Sequence, residues 1–339
     1  MKRLFYTIFA ISALILASCS NKVDLCIEDQ ETTIIYGMLD PGEDTTFFKI
    51  TKSFIGNANE VAQNYQMSNY TYDEIEVTFS GVFDGSSAEQ TFTLDTISKW
   101  IPYDPTSLFY SGCRQTYYYT SQKLAEGQEY TLNVLRKKDN VNVSAKTSTI
   151  NRYSFVQPIV GITNNVVLDK GRVTMKWKFN NTCLSSYFEV AGYFHYKELM
   201  PGAQEPTRRT IVWNIKSGKA DSFYNANDNN YVCIFAPSAF FNVLANDDYL
   251  NQNSPAGVQR FFEDFEYRVT AIGEDLYNYY IVNNSSSAIQ DTPNYTNVEN
   301  GIGLMGSRVS KSISNPIIIT DRQKISTNYP KYGFEYPLE

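Results

Sequence analysis

The chain is dominated by segments in which apolar and polar residues alternate. In Val173-Thr174-Met175-Lys176-Trp177-Lys178-Phe179 every second residue is apolar. A period of two puts those side chains on one face of a pleated strand, so such a segment buries one face only. The same pattern runs through Ile75, Val77 and Phe79; Tyr130, Leu132 and Val134; Ile211, Trp213 and Ile215; and Tyr267, Val269 and Ala271. Turn signals lie between them at Asp40-Pro41-Gly42, Asp84-Gly85, Glu126-Gly127 and Lys170-Gly171. Helical signal is confined to two places. Ser238 precedes residues 239–250 as a candidate cap, and Glu274-Asp275 open a segment in which Leu276, Tyr279, Tyr280 and Asn283 share a face. The expected fold is mainly β. Residues 31–150 predict an immunoglobulin-like or fibronectin-like β-sandwich, because they end in a glycine turn, an alternating strand, a charged hairpin and a second alternating strand. Residues 151–320 predict a larger second β-rich domain with one or two short helices, and residues 321–339 an extended C-terminal tail.

The N-terminus constrains location. Lys2 and Arg3 precede an apolar run from Leu4 to Ala17, too short to span a bilayer comfortably and shaped like a signal peptide over residues 1–18. It ends in Leu16-Ala17-Ser18-Cys19, which matches a bacterial lipobox, so Cys19 is the expected lipidation site and residues 19–30 an anchor and linker. Acyl chains contribute about 0.8 kcal/mol per buried CH₂, so a multiply acylated cysteine holds a folded chain on a membrane. Losing Lys2 and Arg3 with the leader takes the formal charge from −7 to −9, which argues against nucleic acid as a partner. In an oxidising compartment the remaining cysteines are disulfide candidates, with Cys26–Cys113 and Cys183–Cys233 favoured if the chain divides near residue 150. Zinc is not expected, since no two of the four are close in sequence.

Candidate chemistry is sparse. Gly301-x-Gly303-x-x-Gly306, with Asp321 eighteen residues beyond Gly303, outlines a dinucleotide loop. That reading needs a strand directly before the first glycine and a helix directly after the last, so that helix N–H groups meet the pyrophosphate. The flanks are instead polar and proline-containing upstream and serine-rich downstream, so no cofactor is expected and the glycines are read as shaping backbone. His195, the single histidine, shares the phase of Glu189 and Lys197 and is expected on a solvent or polar face. No nucleophile or partner motif accompanies it, so it is not read as catalytic. Glu263, Asp264 and Glu266 read as the solvated flank of a strand, and the Asn/Asp clusters at 225–230 and 245–253 as polar loops, so no metal is expected. Trp100, Tyr103, Phe109 and Tyr110, followed by Tyr117, Tyr118 and Tyr119, offer flat rings with polar tips, the candidate contact surface for a glycan, a peptide or a protein partner.

The segment from Glu274 to Ser312 resembles the C-terminal signature of a Bacteroidota envelope lipoprotein family of unknown function. Leu276, Tyr277, Tyr279 and Tyr280 match its Tyr-rich helix; Asn297, Glu299, Gly301, Gly303 and Gly306 match its glycine segment. Asn300 and Met305 depart from the pattern, standing where it has a glycine and an aromatic. The resemblance implies an outer-membrane lipoprotein encoded near TonB-dependent receptors and transfers no catalytic residues. The expected function is therefore non-catalytic: a lipid-anchored accessory binding or scaffold component of an uptake system, held to membrane lipid through Cys19, with an outer-membrane receptor as partner. The alternatives are a fimbrillin-like adhesin or pilus subunit and an envelope hydrolase.

Overall fold

The alternating segments form the strands that their periodicity implies, in a protein that is mainly β. The computed structural model describes residues 31–53, 71–102, 113–158, 166–284 and 295–335. Its first half supplies β1 (Thr33–Leu39), β2 (Thr46–Lys52), β3 (Ile75–Val82), β4 (Glu89–Thr93), β5 (Asp95–Ile101), β6 (Cys113–Thr120), β7 (Glu129–Arg136) and β8 (Val141–Ser148). One sheet contains the order β1-β2-β6-β5 and the other β8-β7-β3-β4. These are the A-B-E-D and C-F-G orders of a constant-type immunoglobulin sandwich, with β4 as an added edge strand. Tyr130, at the start of β7, donates its hydroxyl hydrogen to the Val82 carbonyl and accepts 2.7 Å from the Ala125 N–H. That is the tyrosine corner of such folds, and Gly127, at φ 63°, makes the turn before it. Phe48, Phe79, Leu132 and Val134 fill the space between the sheets. Each side chain so buried contributes about 1.5–3 kcal/mol.

The second half supplies β9 (Tyr153–Gln157), β10 (Val173–Phe179), β11 (Tyr187–Leu199), β12 (Thr207–Lys219), β13 (Tyr224–Asn225), β14 (Asn230–Phe235), β15 (Gln259–Ile272), β16 (Val298–Glu299), β17 (Gly301–Asn315) and β18 (Phe334–Glu335). A small sheet, β13-β14-β10-β9, encloses a second core with β12-β11-β15-β17. Trp177 and Phe188 meet edge to face at 5.2 Å inside it, and Phe265 does the same with Phe240 at 5.0 Å. Among the described residues four α-helices join this half: α1 (Phe240–Ala245), α2 (Asp248–Gln252), α3 (Glu274–Asn284) and α4 (Ile319–Asn328). Residues 239–250 thus hold two short helices. Asp247, not Ser238, supplies a cap, accepting 2.8 Å from the Leu250 N–H.

The two cores divide near residue 150, yet the halves are not separate domains. The described residues from 32 to 335 cluster as one compact unit. The cause is β17. Its first seven residues pair in parallel with β1, Thr33 opposite Gly301 through Leu39 opposite Ser307. Its last eight pair antiparallel with β15, Arg308 opposite Ile272 through Asn315 opposite Phe265. One sheet therefore runs β12-β11-β15-β17-β1-β2-β6-β5 across both halves. Just before β17, the two-residue β16 pairs with β8 of the other sandwich sheet. Val298 and Met305, from either side of this crossing, are buried in the first core.

The expected extended tail is also corrected. Residues 319–335 form α4, a single 3-10 turn and β18, which pairs in parallel with β15. Burial and hydrogen bonding hold them: Ile325, Tyr332 and Phe334 enter the second core, and Asp321 accepts 2.6 Å from the Leu168 N–H. Fully buried Arg260 donates to the Tyr332 carbonyl, to Ser254 Oγ at 3.0 Å, and to Glu198 at 2.6 and 2.9 Å. Residues 336–339 lie outside the described residues.

Candidate functional site

The glycine segment is built into the crossing just described. Asn300 sits at φ 57° between β16 and β17, a left-handed position that asparagine tolerates. Its Nδ2 donates 3.0 Å to the Asn142 carbonyl. Asn297 clasps Met305 on both sides, receiving its N–H at 2.9 Å and donating to its carbonyl at 2.8 Å. Glu299 accepts 3.2 Å from Ser144 Oγ on β8. Gly303 has φ 122°, and a Cβ there would overlap the Ile35 carbonyl oxygen of β1. A Cβ on Gly301 would stand 2.7 Å from the Thr33 carbonyl, and one on Gly306 would stand 3.0 Å from Leu276 Cβ on α3. Close backbone approach accounts for all three glycines, with a strand after them where a nucleotide loop needs a helix.

Among the described residues the aromatic candidates divide between two faces. Tyr103, Phe109, Tyr110, Cys19 and Cys26 lie outside the described residues. Alternation along β5 and β6 splits the others. Tyr117 and Tyr119 share a face with Phe47, which neither motif nor spacing had marked; Phe47 and Tyr119 lie 6.0 Å apart, and Lys99 Nζ sits 3.8 Å above the Phe47 ring. Tyr118 turns the other way and packs against the first core. Trp100, opposite Arg114, is 61% exposed.

Cys183 and Cys233 are free thiols, which corrects the expected pair. Alternation along β14 aims Cys233 into the core, where burial pushes its thiol up to about 11. Cys183 stands in the loop before β11, its Sγ 3.9 Å from the Ser185 carbonyl, and burial raises it too. Thiols in such surroundings are unreactive. The Cys26–Cys113 pair cannot be placed, since Cys26 lies outside the described residues.

His195 lies on the polar face of β11, but it is enclosed at 7% exposure rather than open to solvent. Nδ1 is 2.8 Å from Thr210 Oγ1 on β12, and Nε2 is 3.5 Å from Glu266 Oε2 on β15. Arg268 binds Glu266 at 2.7 Å and lies 4.2 Å over the Tyr193 ring. Glu263 meets Arg208 at 2.7 Å, and Asp264 accepts 2.5 Å from Ser314 Oγ. These carboxylates are partnered along and between neighbouring strands. Among the described residues no group of three His, Cys, Asp or Glu side chains is placed to hold a metal ion.

The same polar face continues into a cleft of about 390 Å³. Its floor is Thr270 and Ser310, 3.0 Å apart on β15 and β17, with Ser312 and Arg268 beside them. Tyr280 of α3 lines one side, and Asp40 and Glu43 of the β1–β2 turn line another. Arg308 and Glu189 form no ion pair or side-chain hydrogen bond among the described residues, although each feels the other's charge. Burial raises the Glu189 carboxyl above its ordinary value, with Arg308 opposing. Burial likewise raises Asp40, against the Gly42 N–H donated to it at 2.8 Å. Tyr280 is raised by burial and then by Glu189. A second cleft of about 410 Å³, reaching Asn214 and Ser217 of β12, shares Glu189, Tyr193, Arg268 and Thr270 with the first. Sequence reasoning missed this site. Its signal was the polar alternation Arg308-x-Ser310-x-Ser312-x-Ser314, on a strand assigned no partner.

Comparison with known proteins gives a family and little else. The family described as Domain of unknown function (DUF4249) matches residues 21–314. No curated protein matches the chain. Among solved structures, one described as the crystal structure of CBD12 from CALX1.2 is similar at 7% identity. The match covers 82% of this chain and 100% of that one with a TM-score of 0.16, too low to support an argument. Among the described residues no helix is long and apolar enough to cross a membrane.

Proposed function

This chain belongs to the DUF4249 family, and we propose that it is a non-catalytic, lipid-anchored binding component of the bacterial outer membrane, serving a TonB-dependent uptake receptor. The observation that carries the binding role is the cleft on the open sheet face, where half-buried Glu189 and, at the rim, exposed Arg308 form no ion pair or side-chain hydrogen bond among the described residues. Half-buried charge is costly unless paired, so leaving Glu189 unpaired is stability given up for a ligand. The anchoring role rests on the basic start, the short apolar run and Leu16-Ala17-Ser18-Cys19. The association with a TonB-dependent receptor rests on the resemblance of the Tyr-rich helix and the glycine segment to envelope lipoproteins of Bacteroidota. The test is affinity isolation of the anchored protein from cross-linked native envelopes, beside Cys19→Ser. The wild-type chain recovers a TonB-dependent receptor from the membrane fraction, and Cys19→Ser leaves that fraction. Repeated recovery of membrane-bound protein without such a receptor would overturn the uptake reading.

A further inference from the structure

The paired clefts on the polar sheet face also indicate what kind of ligand they take. β11 and β15, which carry Glu189, Tyr193, Arg268 and Thr270, are each paired on both sides, β15 with β11 and β17 and β11 with β12 and β15. Among the described residues the free edges flank this floor, since β12 pairs with β11 alone and Arg308–Asn315 of β17 with β15 alone, so an extended peptide would add beside the clefts and not across them. A helical peptide needs an apolar groove, and this floor is hydroxyl, carboxylate and guanidinium. An anion needs a surplus of positive charge, but Asp40, Glu43 and Glu189 offset Arg308, Lys311 and Lys216, and Arg268 is already committed to Glu266. What the lining offers is donors and acceptors in alternation, beside the phenols of Tyr193 and Tyr280.

A neutral polyhydroxylated ligand matches that lining. Adjacent hydroxyls can donate to both oxygens of Glu189 and accept from the planar fork of Arg308, charge-assisted bonds that outlast competition from water better than neutral ones. A tyrosine ring supplies a flat apolar surface for the C–H face of a sugar, with a polar tip left over for its hydroxyls. Each cleft falls in the ~300–1,000 Å³ range of small-molecule sites. The four residues they share make them one elongated path. We infer that this path binds a neutral oligosaccharide, with Glu189 and Arg308 as the paired hydroxyl-binding groups. The inference deepens the proposed binding role and rests on it for the idea that a ligand exists.

The test is calorimetric titration of the mature, acylated protein in detergent with the trisaccharides of maltose, xylose, mannose and N-acetylglucosamine series. Triuronic acid and an acidic hexapeptide serve as charged probes. At least one neutral trisaccharide binds saturably, and Glu189→Gln and Arg308→Met each weaken it by about tenfold or more, the scale expected for losing a charge-assisted bond. Arg308→Met keeps the wild-type thermal midpoint and Glu189→Gln keeps or raises it, since neither residue is partnered among the described residues and burial disfavours the Glu189 charge. Three results overturn the inference: no neutral trisaccharide binds the folded protein; one binds but is indifferent to both substitutions; or only a charged probe binds. Membrane fractionation and receptor capture with Glu189→Gln are scored separately. If these stay intact while sugar binding fails, the ligand assignment is wrong and the anchored-component reading stands.

Discussion

Replacing Gly303 by alanine probes how the C-terminal half completes the first sandwich, and Gly85 provides an internal control. Both glycines have positive φ, 122° at Gly303 and 79° at Gly85. A Cβ at Gly85 meets nothing within 4 Å, so Gly85→Ala costs only the backbone penalty, about 1–2 kcal/mol. At Gly303 the Cβ overlaps the Ile35 carbonyl oxygen, and backbone cannot yield as a flexible side chain does. β17 must then move away from β1, which withdraws Val298 and Met305 from the first core. Partial loss of two burials worth about 1.5–3 kcal/mol each, added to the backbone penalty, brings Gly303→Ala to about 4 kcal/mol or more. Since domains of this size have about 5–15 kcal/mol in hand, the variant should unfold at a far lower urea midpoint. Urea unfolding of both variants, followed by far-UV circular dichroism and tryptophan fluorescence, measures the difference. Equal midpoints for the two variants would refute the shared-strand reasoning.

Two further outcomes follow from buried groups. Because Arg260 and Glu198 are both enclosed, Arg260→Met or Glu198→Gln alone should cost about 3–5 kcal/mol by stranding the other, whereas Arg208→Met at the solvent-screened Glu263 pair should leave the urea midpoint nearly unchanged; urea midpoints distinguish them, and similar losses would contradict the assignment of a buried clasp. Cys183 and Cys233 should resist iodoacetamide at pH 8 in the folded chain and label fully in 6 M guanidinium, and a Cys183–Cys233 linked peptide in a non-reducing digest would contradict the free-thiol assignment. Burial holds the Cys233 proton to about pH 11, while the unfolded chain releases it near the ordinary thiol range. The stability from that group is therefore complete below about pH 8.5 and falls as pH rises toward 11.

How much of this was legible in the sequence depends on the range of each interaction. Val173 to Phe179 declared a strand through spacing alone, and Glu274-Asp275 declared the start of α3, because both signals are local. Tyr130 is legible for the same reason: its corner closes on Ala125, five residues upstream. The pairing of Thr33 with Gly301 is different. A strand reads the same whatever lies beside it, so nothing in β1 or β17 names the other, and two halves that looked separable share a sheet. Cys183 and Cys233 failed as a pair because separation in sequence carries no distance; alternation sends one of them into a core. His195 was assigned the correct face, yet Arg268 and Glu266, more than seventy residues on, decide that it is enclosed. The cleft was invisible for a related reason. Asp40, Glu189, Tyr280 and Arg308 come from four separate elements and form no motif until the sheet is assembled.

The proposed role depends first on the anchor, and intact mass analysis of the protein extracted from its native membrane tests that most directly. The account predicts a chain beginning at Cys19 and heavier than its sequence by a diacylglycerol, with or without a further acyl chain on the new N-terminus. A chain beginning anywhere else, or one beginning at Cys19 with an unmodified thiol, would contradict it.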